Sequence, residues 1–151
     1  MNTIETLPIF VGVDGSDSSL EALRTAGRLG AALNLPIIAL TTWVVEPVWG
    51  GYLPVDALNP EQVAREVLAD AVSAAFDGEP PVDLETRVRY GPAATALVEE
   101  SAHASTLIVG SRGLGGFRGM LLGSVSNVCV HHARCPVLVI RPRGALAAAA
   151  A

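Results

Sequence analysis

A glycine-rich stretch, Gly110–Val125 (GSRGLGGFRGMLLGSV), constrains the fold of this chain more than any other segment. It follows a short apolar run, Thr106–Val109, that is typical of a buried strand, and it precedes a helix-like segment, Val125–His132. Glycine lets a ligand approach the main chain closely. A strand, a glycine loop and a helix N-terminus in succession present free N–H groups at the positive end of the helix dipole. The stretch therefore predicts a phosphate cradle, with Ser124 as helix N-cap or as a hydroxyl donor to a phosphate oxygen.

Short apolar runs alternate with segments of helical periodicity along the rest of the sequence. The strands are predicted over 8–13, 36–45, 82–89, 106–109 and 136–140. Ser16 or Asp17 is expected to cap the first helix and Asn59 the second, which is predicted to pack Val63, Val67, Ala71 and Ala74 or Ala75 inward.

This alternation predicts one α/β domain with an open five-stranded parallel sheet and helices on both faces. Ligands of such sheets bind beyond the carboxyl ends of the strands, where the strand order reverses. An acidic turn at Asp14–Ser16, the end of the second strand near Thr42, and the glycine stretch all follow strands and are expected at that edge.

Composition argues against several classes of function. The formal net charge of −5 and pI near 5.1 are not those of a nucleic-acid-binding surface. No apolar run approaches the ~20 residues of a membrane span, and the first ten residues lack the features of a signal peptide. The two cysteines fit a reducing compartment, so we expect a cytoplasmic protein. The sequence contains no lysine, so efficient ATP hydrolysis, which needs a cation clamp, is not expected.

The spacing of the glycines resembles one known signature. The loop lacks the Gly-Lys-Ser/Thr of a Walker A motif and the G-x-G-x-x-G of a dinucleotide fold. The spacing resembles the signature of the universal stress protein family, in its ATP-binding branch: two residues separate Gly110 from Gly113, and nine residues separate Gly113 from Gly123-Ser124. The runs IFVGVDGSDSSLEAL (9–23) and CPVLVIRP (135–142) resemble that family as well.

The resemblance implies a fold, a boundary and a site. It implies a Rossmann-like fold of the adenine nucleotide alpha hydrolase type over residues 1–144, with the alanine-rich tail 145–151 outside it. It implies that Thr42 holds adenine through backbone groups and that Asp14 contacts the nucleotide or its Mg²⁺. The complete set of nucleotide-binding residues it implies is Asp14, Gly15, Ser16, Thr42, Gly110, Ser111, Arg112, Gly113, Gly123, Ser124, Val125 and Ser126.

Several residues have a structural alternative. Asp14 would also suit a simple turn, and Arg112 a solvated surface charge. Trp49 and Tyr52 lie in a loop, where packing is favoured over a lid or a partner surface, and Arg118 is interpreted as surface charge. The adjacent His131 and His132, the lone His103, and Cys129 with Cys135 lack zinc-ligand spacing, so no metal is expected there.

The function predicted on this basis is a stress-response sensor or regulator that binds ATP with Mg²⁺. The resemblance, and the need to cover an apolar edge strand, predict a homodimer formed through Val137, Leu138, Val139 and Ile140. Two alternatives remain open: an ATP hydrolase or adenylyl-transfer enzyme of related fold, and an interaction module with an empty pocket. The sequence does not separate ATP from AMP or cyclic AMP.

Overall fold

Strands and helices alternate along the chain as the sequence pattern predicts. The computed structural model describes residues 6–45, 47, 50, 59–114 and 121–142. The expectations for Trp49, Tyr52, Arg118 and the alanine-rich tail lie outside these residues. The strands are β1 (Ile9–Gly12), β2 (Ile37–Trp43), β3 (Leu84–Tyr90), β4 (Thr106–Gly110) and β5 (Val137–Ile140). The helices are α1 (Asp17–Leu33), α2 (Pro60–Ala75), α3 (Ala93–Glu100), followed by a 3₁₀ turn (Ser101–His103), and α4 (Ser124–His132).

All five strands form one parallel sheet in the order β3-β2-β1-β4-β5. The chain winds outward from β1 through β2 to β3, then returns to place β4 on the other side of β1. The order therefore reverses between β1 and β4, and β3 and β5 are the edges. This confirms the predicted five-stranded α/β fold, and it places the carboxyl ends of β1 and β4 beside the switch point.

Two hydrophobic clusters cover the two faces of the sheet. Alternate residues of β1 contribute to each, since successive side chains of a strand point to opposite faces. Ile9 packs with α1 and α2, whereas Phe10 packs with Leu97 of α3 and Cys129 of α4. The central strands are thus buried on both sides, which explains their continuous apolar runs.

The helix boundaries follow local chemistry. The Ser16 side chain caps α1 by accepting from Ser19 N at 3.3 Å, and Asn59 caps α2 by accepting from Gln62 N at 3.1 Å. Asn34, in the left-handed conformation with φ 55°, ends α1. Among the described residues, no helix is both long and apolar enough to cross a membrane.

The inward face of α2 differs from the prediction. Ala64, Leu68, Ala71, Val72 and Ala75 are buried, whereas Val63 and Val67 remain 38% and 36% exposed. The apolar stripe of α2 is wider than one packing face. Its Val63 and Val67 edge turns toward a cavity at the end of the sheet instead of toward the core.

Candidate functional site

A cavity of about 730 Å³ lies at the carboxyl ends of the central strands, where the order reverses. Its walls come from the ends of β1, β2 and β4, the first two turns of α2, the start of α3 and the N-terminus of α4. Of the predicted site residues, those that line it are Asp14, Ser16, Thr42, Gly110, Arg112, Gly113, Gly123, Ser124, Val125 and Ser126. The other two lie behind it: Gly15 borders a smaller cavity of about 310 Å³, and Ser111 is buried.

The glycine loop closes onto the start of α4 through the Ser111 carbonyl. That oxygen accepts from Gly123 N at 2.6 Å and from Ser126 Oγ at 3.2 Å. On the opposite side, Ser111 N donates to Ile140 O at 2.7 Å. Ser111 therefore ties the loop, α4 and β5 together, and it holds Gly113 and Gly123 near each other although nine residues separate them in sequence.

The N-terminus of α4 presents free donors. Its first hydrogen bond runs from Asn127 N to Gly123 O at 3.0 Å. In the part of the chain that the structure describes, nothing accepts from the amides of Ser124, Val125 or Ser126. These donors, at the positive end of the α4 dipole, give the polar end of the cavity the character of an anion site.

Ser124 does not cap α4. The N-cap is Gly123, which makes no side-chain bond, and Ser124 is the first helical residue. The N-cap prediction was wrong because the helix starts one residue earlier than its apolar pattern indicates. The Ser124 side chain is exposed at the cavity wall, so its other predicted role, as a donor to a phosphate, stays a prediction.

The described glycines of the loop differ in how much room they leave for a side chain. A Cβ on Gly110 would come within 2.9 Å of the backbone carbon of Ser18, and one on Gly113 within 2.8 Å of Asp14 Oδ2. Around Gly123 the nearest atom would be Ser111 O at 3.4 Å, an ordinary contact. The fold itself therefore tolerates a methyl group at Gly123, and a glycine there leaves open space at the mouth of the cradle.

Much of the remaining cavity wall is apolar. Leu40, Val44, Val63, Val67 and Leu97 line it. Trp43 lines it too, and its ring meets that of Tyr90 edge-on with centroids 4.9 Å apart. None of these residues was predicted from the sequence to belong to the site. The available signal was the width of the α2 stripe, which exceeds what one helix face can bury.

Backbone groups of Thr42 face the cavity side of β2. Residues of β2 bond alternately to β1 and β3: Leu40 O accepts from Val13 N, while Trp43 O accepts from Gly91 N, each at 2.9 Å. Thr42 is thus oriented toward β1, but β1 pairs with β2 only as far as Leu40. No described residue bonds its N–H or C=O, so both are left for another partner.

Charge in the cavity is sparse. The Asp14 carboxylate accepts from Ser16 N at 2.9 Å through Oδ1, and its Oδ2 lies beside Gly113. Arg112 is exposed and forms no ion pair with any residue in the described ranges. Those ranges also contain no cluster of three or more His, Cys, Asp or Glu side chains able to hold a metal. A cation here would need ligands from a bound molecule in addition to Asp14.

The comparisons with known proteins identify the family. A family profile described as the universal stress protein family matches residues 6–141. The chain belongs to the universal stress protein family. A universal stress protein of Mycolicibacterium smegmatis is 34% identical over 144 residues, which are 91% of this chain and 46% of the relative. The chain therefore spans about half the length of the curated universal stress proteins it matches.

Solved universal stress proteins share the fold and include nucleotide complexes. One, in complex with cAMP, is 32% identical with a TM-score of 0.62, covering 89% of this chain and 95% of that one. A second, from Archaeoglobus fulgidus in complex with dAMP, is 22% identical with a TM-score of 0.62, covering 89% and 97%. The second likeness bears on the fold alone. These structural neighbours bind adenine nucleotides.

Proposed function

We propose that this chain binds an adenine nucleotide, with ATP and Mg²⁺ as the leading candidate, and acts as a stress-response sensor or regulator. The observation that carries the proposal is the set of free amides at the start of α4, which opens onto a cavity whose remaining wall is largely apolar. A nucleotide has the same division between charged phosphates and a flat, largely apolar base. The 32% identical relative in complex with cAMP supports this choice of ligand.

The phosphates would lie against the amides of Gly113, Ser124 and Val125. Hydrogen bonds from backbone N–H groups to a charged acceptor are stronger than neutral ones. Arg112 would add a positive charge from the rim, where its guanidinium group forms no ion pair with a described residue. Ser16 and Gly15 lie in the adjoining turn, and Gly110 and Ser111 support the loop from below.

Asp14 would help to hold magnesium, which would offset the negative charge of the phosphates. Mg²⁺ is usually held by one or two carboxylates together with phosphate oxygens and water, so a single aspartate is sufficient. The carboxylate of Asp14 lies next to Gly113, where it would repel a phosphate that carries no cation. The donor set therefore fits the magnesium complex better than the free nucleotide.

The base would lie against the apolar wall of the cavity, between Val67 and Leu97. The N–H and C=O of Thr42 would pair with the edge of the base, as a neighbouring strand would. Because main-chain groups would make this contact, Thr42→Val should affect affinity little. AMP and cAMP present the same base, so they are competitors to be tested against ATP.

Binding without efficient turnover is the expected behaviour. The sequence has no lysine, and Arg112 is the cationic side chain that lines the described part of the cavity. A hydrolase or adenylyl-transfer enzyme is the alternative, and steady ATP turnover above that of a Gly123→Val control would favour it. Both cysteines are free thiols, which supports a cytoplasmic setting.

A homodimer through β5 is part of the same proposal. β5 is an edge strand, and its side chains Val137, Val139 and Ile140 remain only half-buried, with Leu138 37% exposed. An apolar sheet edge of this kind favours pairing. A two-fold axis beside β5 would pair it with its own copy.

Isothermal titration with MgATP tests the proposal. The wild-type chain is expected to bind at or below millimolar concentration, and Gly123→Val is expected to bind at least tenfold more weakly because its side chain occupies the cradle. Thr42→Val is the matched control, a cavity-lining substitution that leaves the main chain intact. Absence of any heat of binding to wild type at millimolar MgATP would refute it and leave the interaction module with an empty pocket.

A further inference from the structure

The carbonyl of Arg112 is held by serines in and next to the first turn of α1. Ser18 Oγ donates to it at 2.5 Å and Ser16 Oγ at 3.3 Å. Ser18 is 2% exposed, and Gly110 lies so close to it that a Cβ there would overlap the serine. The contact spans 94 residues of sequence, so it joins the glycine loop to the opposite side of the switch point.

The Ser18 bond fixes the direction of one amide. The Arg112 C=O and the Gly113 N–H belong to the same peptide unit, and because no peptide of the described chain is cis, they point in opposite directions. Ser18 borders the smaller cavity and not the larger one. With the carbonyl drawn toward Ser18, the Gly113 N–H points away from Ser18, and Gly113 itself lines the larger cavity together with Gly123.

Other distances agree with this orientation. A Cβ built on Gly123, at the mouth of the cradle, would lie 3.6 Å from Gly113 N. No described residue accepts a hydrogen bond from that nitrogen. Since Gly113 has no side chain, nothing on that residue opposes rotation of the peptide plane. The restraint on this peptide plane must come from outside the loop. Ser18 supplies the shortest hydrogen bond to the Arg112 carbonyl.

We propose that Ser18 is a positioning residue for the nucleotide site, which aims the Gly113 N–H at the phosphates without touching them. The inference rests on the proposed nucleotide binding and adds a residue to it. Ser16 has a smaller part, since its hydroxyl lies 3.3 Å from the Arg112 carbonyl oxygen, whereas that of Ser18 lies 2.5 Å away. The site is thereby coupled to the first turn of α1 as well as to α4.

The test compares Ser18→Ala with Ser101→Ala. Ser101 is a matched control because it is 1% exposed and its hydroxyl donates to a carbonyl, Val98 O at 2.6 Å, away from the cavity. Each variant and the wild type are titrated with MgATP and with adenosine, which has the base but no phosphate. Ser18→Ala should weaken MgATP binding about 3- to 10-fold, the usual effect of one lost hydrogen bond. It should leave adenosine binding unchanged, and Ser101→Ala should change neither.

The unfavourable outcomes are distinct. The positioning role is overturned if Ser18→Ala binds MgATP as tightly as the wild type does. It is also overturned if the variant loses affinity for MgATP and adenosine equally. In both cases the proposed nucleotide binding stands. Wild-type protein that binds neither ligand overturns the proposed function and this role with it. The amide chemical shift of Gly113 in the ligand-free protein gives an independent readout: it should change in Ser18→Ala and not in Ser101→Ala, and an unchanged Gly113 signal would also refute the role.

Discussion

Individual residues of the loop contribute to packing, to the open space of the cavity, or to both. Gly110 is required by the fold, because Ser18 leaves no room for a side chain. A side chain at Gly113 would displace only the end of the Asp14 side chain, and Gly123 is required by nothing in the described chain. A residue that the fold does not need and that opens onto a cavity is a stronger indicator of a ligand than one held by packing.

Cys129 shows how burial can dominate the chemistry of a residue. It is fully buried on the α3 and α4 face of the sheet. Burial, with a smaller contribution from the charge of nearby Cys135, raises the pKa of the Cys129 thiol to about 11. The thiolate form is therefore suppressed in the folded protein at neutral pH, which makes Cys129 a packing residue and a poor nucleophile.

The raised pKa of Cys129 predicts a loss of stability in alkali. The folded state holds the thiol proton more tightly than the unfolded state, whose pKa is 9.0, so stability falls as pH rises from about 9 to about 11. Urea midpoints measured from pH 8 to 11 should fall less steeply for Cys129→Ala than for wild type, although the variant starts lower because of the cavity it creates. Parallel curves for the two proteins would contradict the assignment.

Among the elements, α2 combines two tasks on adjacent residues. Leu68 is 1% exposed and packs in the core, whereas Val67 borders the cavity and is 36% exposed. Helical periodicity predicted a packing face that included Val67. Periodicity locates an apolar surface, but it does not distinguish a surface buried by protein from one left for a ligand.

The two neighbours on α2 should therefore respond differently to truncation. Leu68→Ala should cost about 2–5 kcal/mol of unfolding free energy, as buried leucines do. Val67→Ala should cost under about 1 kcal/mol, because the side chain is partly exposed, but should weaken nucleotide binding several-fold. Urea denaturation and titration with MgATP measure the two effects. Equal stability losses, or unchanged affinity in Val67→Ala, would contradict this division.

At the β3 edge of the sheet, opposite to β5, arginines connect β3 to α3. Arg89 bonds Glu99 at 2.7 Å and Glu100 at 2.9 Å, and Arg87 lies 3.6 Å from Glu100. The hydrogen bond to Glu99, with support from Glu100, raises the pKa of Arg89. Charged side chains of this kind discourage strand pairing at an edge. The β3 edge thus differs from the apolar β5 edge.

At the scale of the whole molecule, β5 forms the apolar edge of the described sheet. The register of β5 against β4 shows which of its backbone groups face outward. Leu107 N donates to Pro136 O and Ser111 N to Ile140 O, so even-numbered residues of β5 bond to β4. The N–H groups of Val137 and Val139 therefore point outward. Proline is tolerated on an edge strand where its missing N–H would face solvent.

Val139→Pro should therefore disrupt a β5-mediated dimer and preserve the fold. Light scattering coupled to size-exclusion chromatography should give a dimer for wild type and a monomer for the variant, with unchanged circular dichroism. Leu138→Pro is the matched control, since it removes an inward bond to β4 and should destabilise the protein itself. A dimer that persists in folded Val139→Pro, or a wild type that is monomeric throughout, would argue against the interface.

The sequence by itself determined the order of elements and the fold. Apolar runs and helix caps such as Ser16 and Asn59 act locally, and parallel winding follows from alternation. The glycine spacing led to the universal stress protein family, which residues 6–141 match. Because ligands of parallel sheets bind at the carboxyl ends of the strands, the sequence also predicted that Asp14, Thr42 and the glycine loop lie at one edge.

Only the tertiary structure decided which groups converge within that edge. The apolar wall containing Val67 and Leu97 depends on how α2 and α3 pack across the sheet end, which no local pattern encodes. The bond from Ser18 to the Arg112 carbonyl joins residues 94 positions apart. The start of α4 at Ser124, and hence its free amides, depends on the Ser111 carbonyl that holds Gly123. Local patterns specify which elements form, whereas the directions of individual amides and side chains are set by long-range contacts.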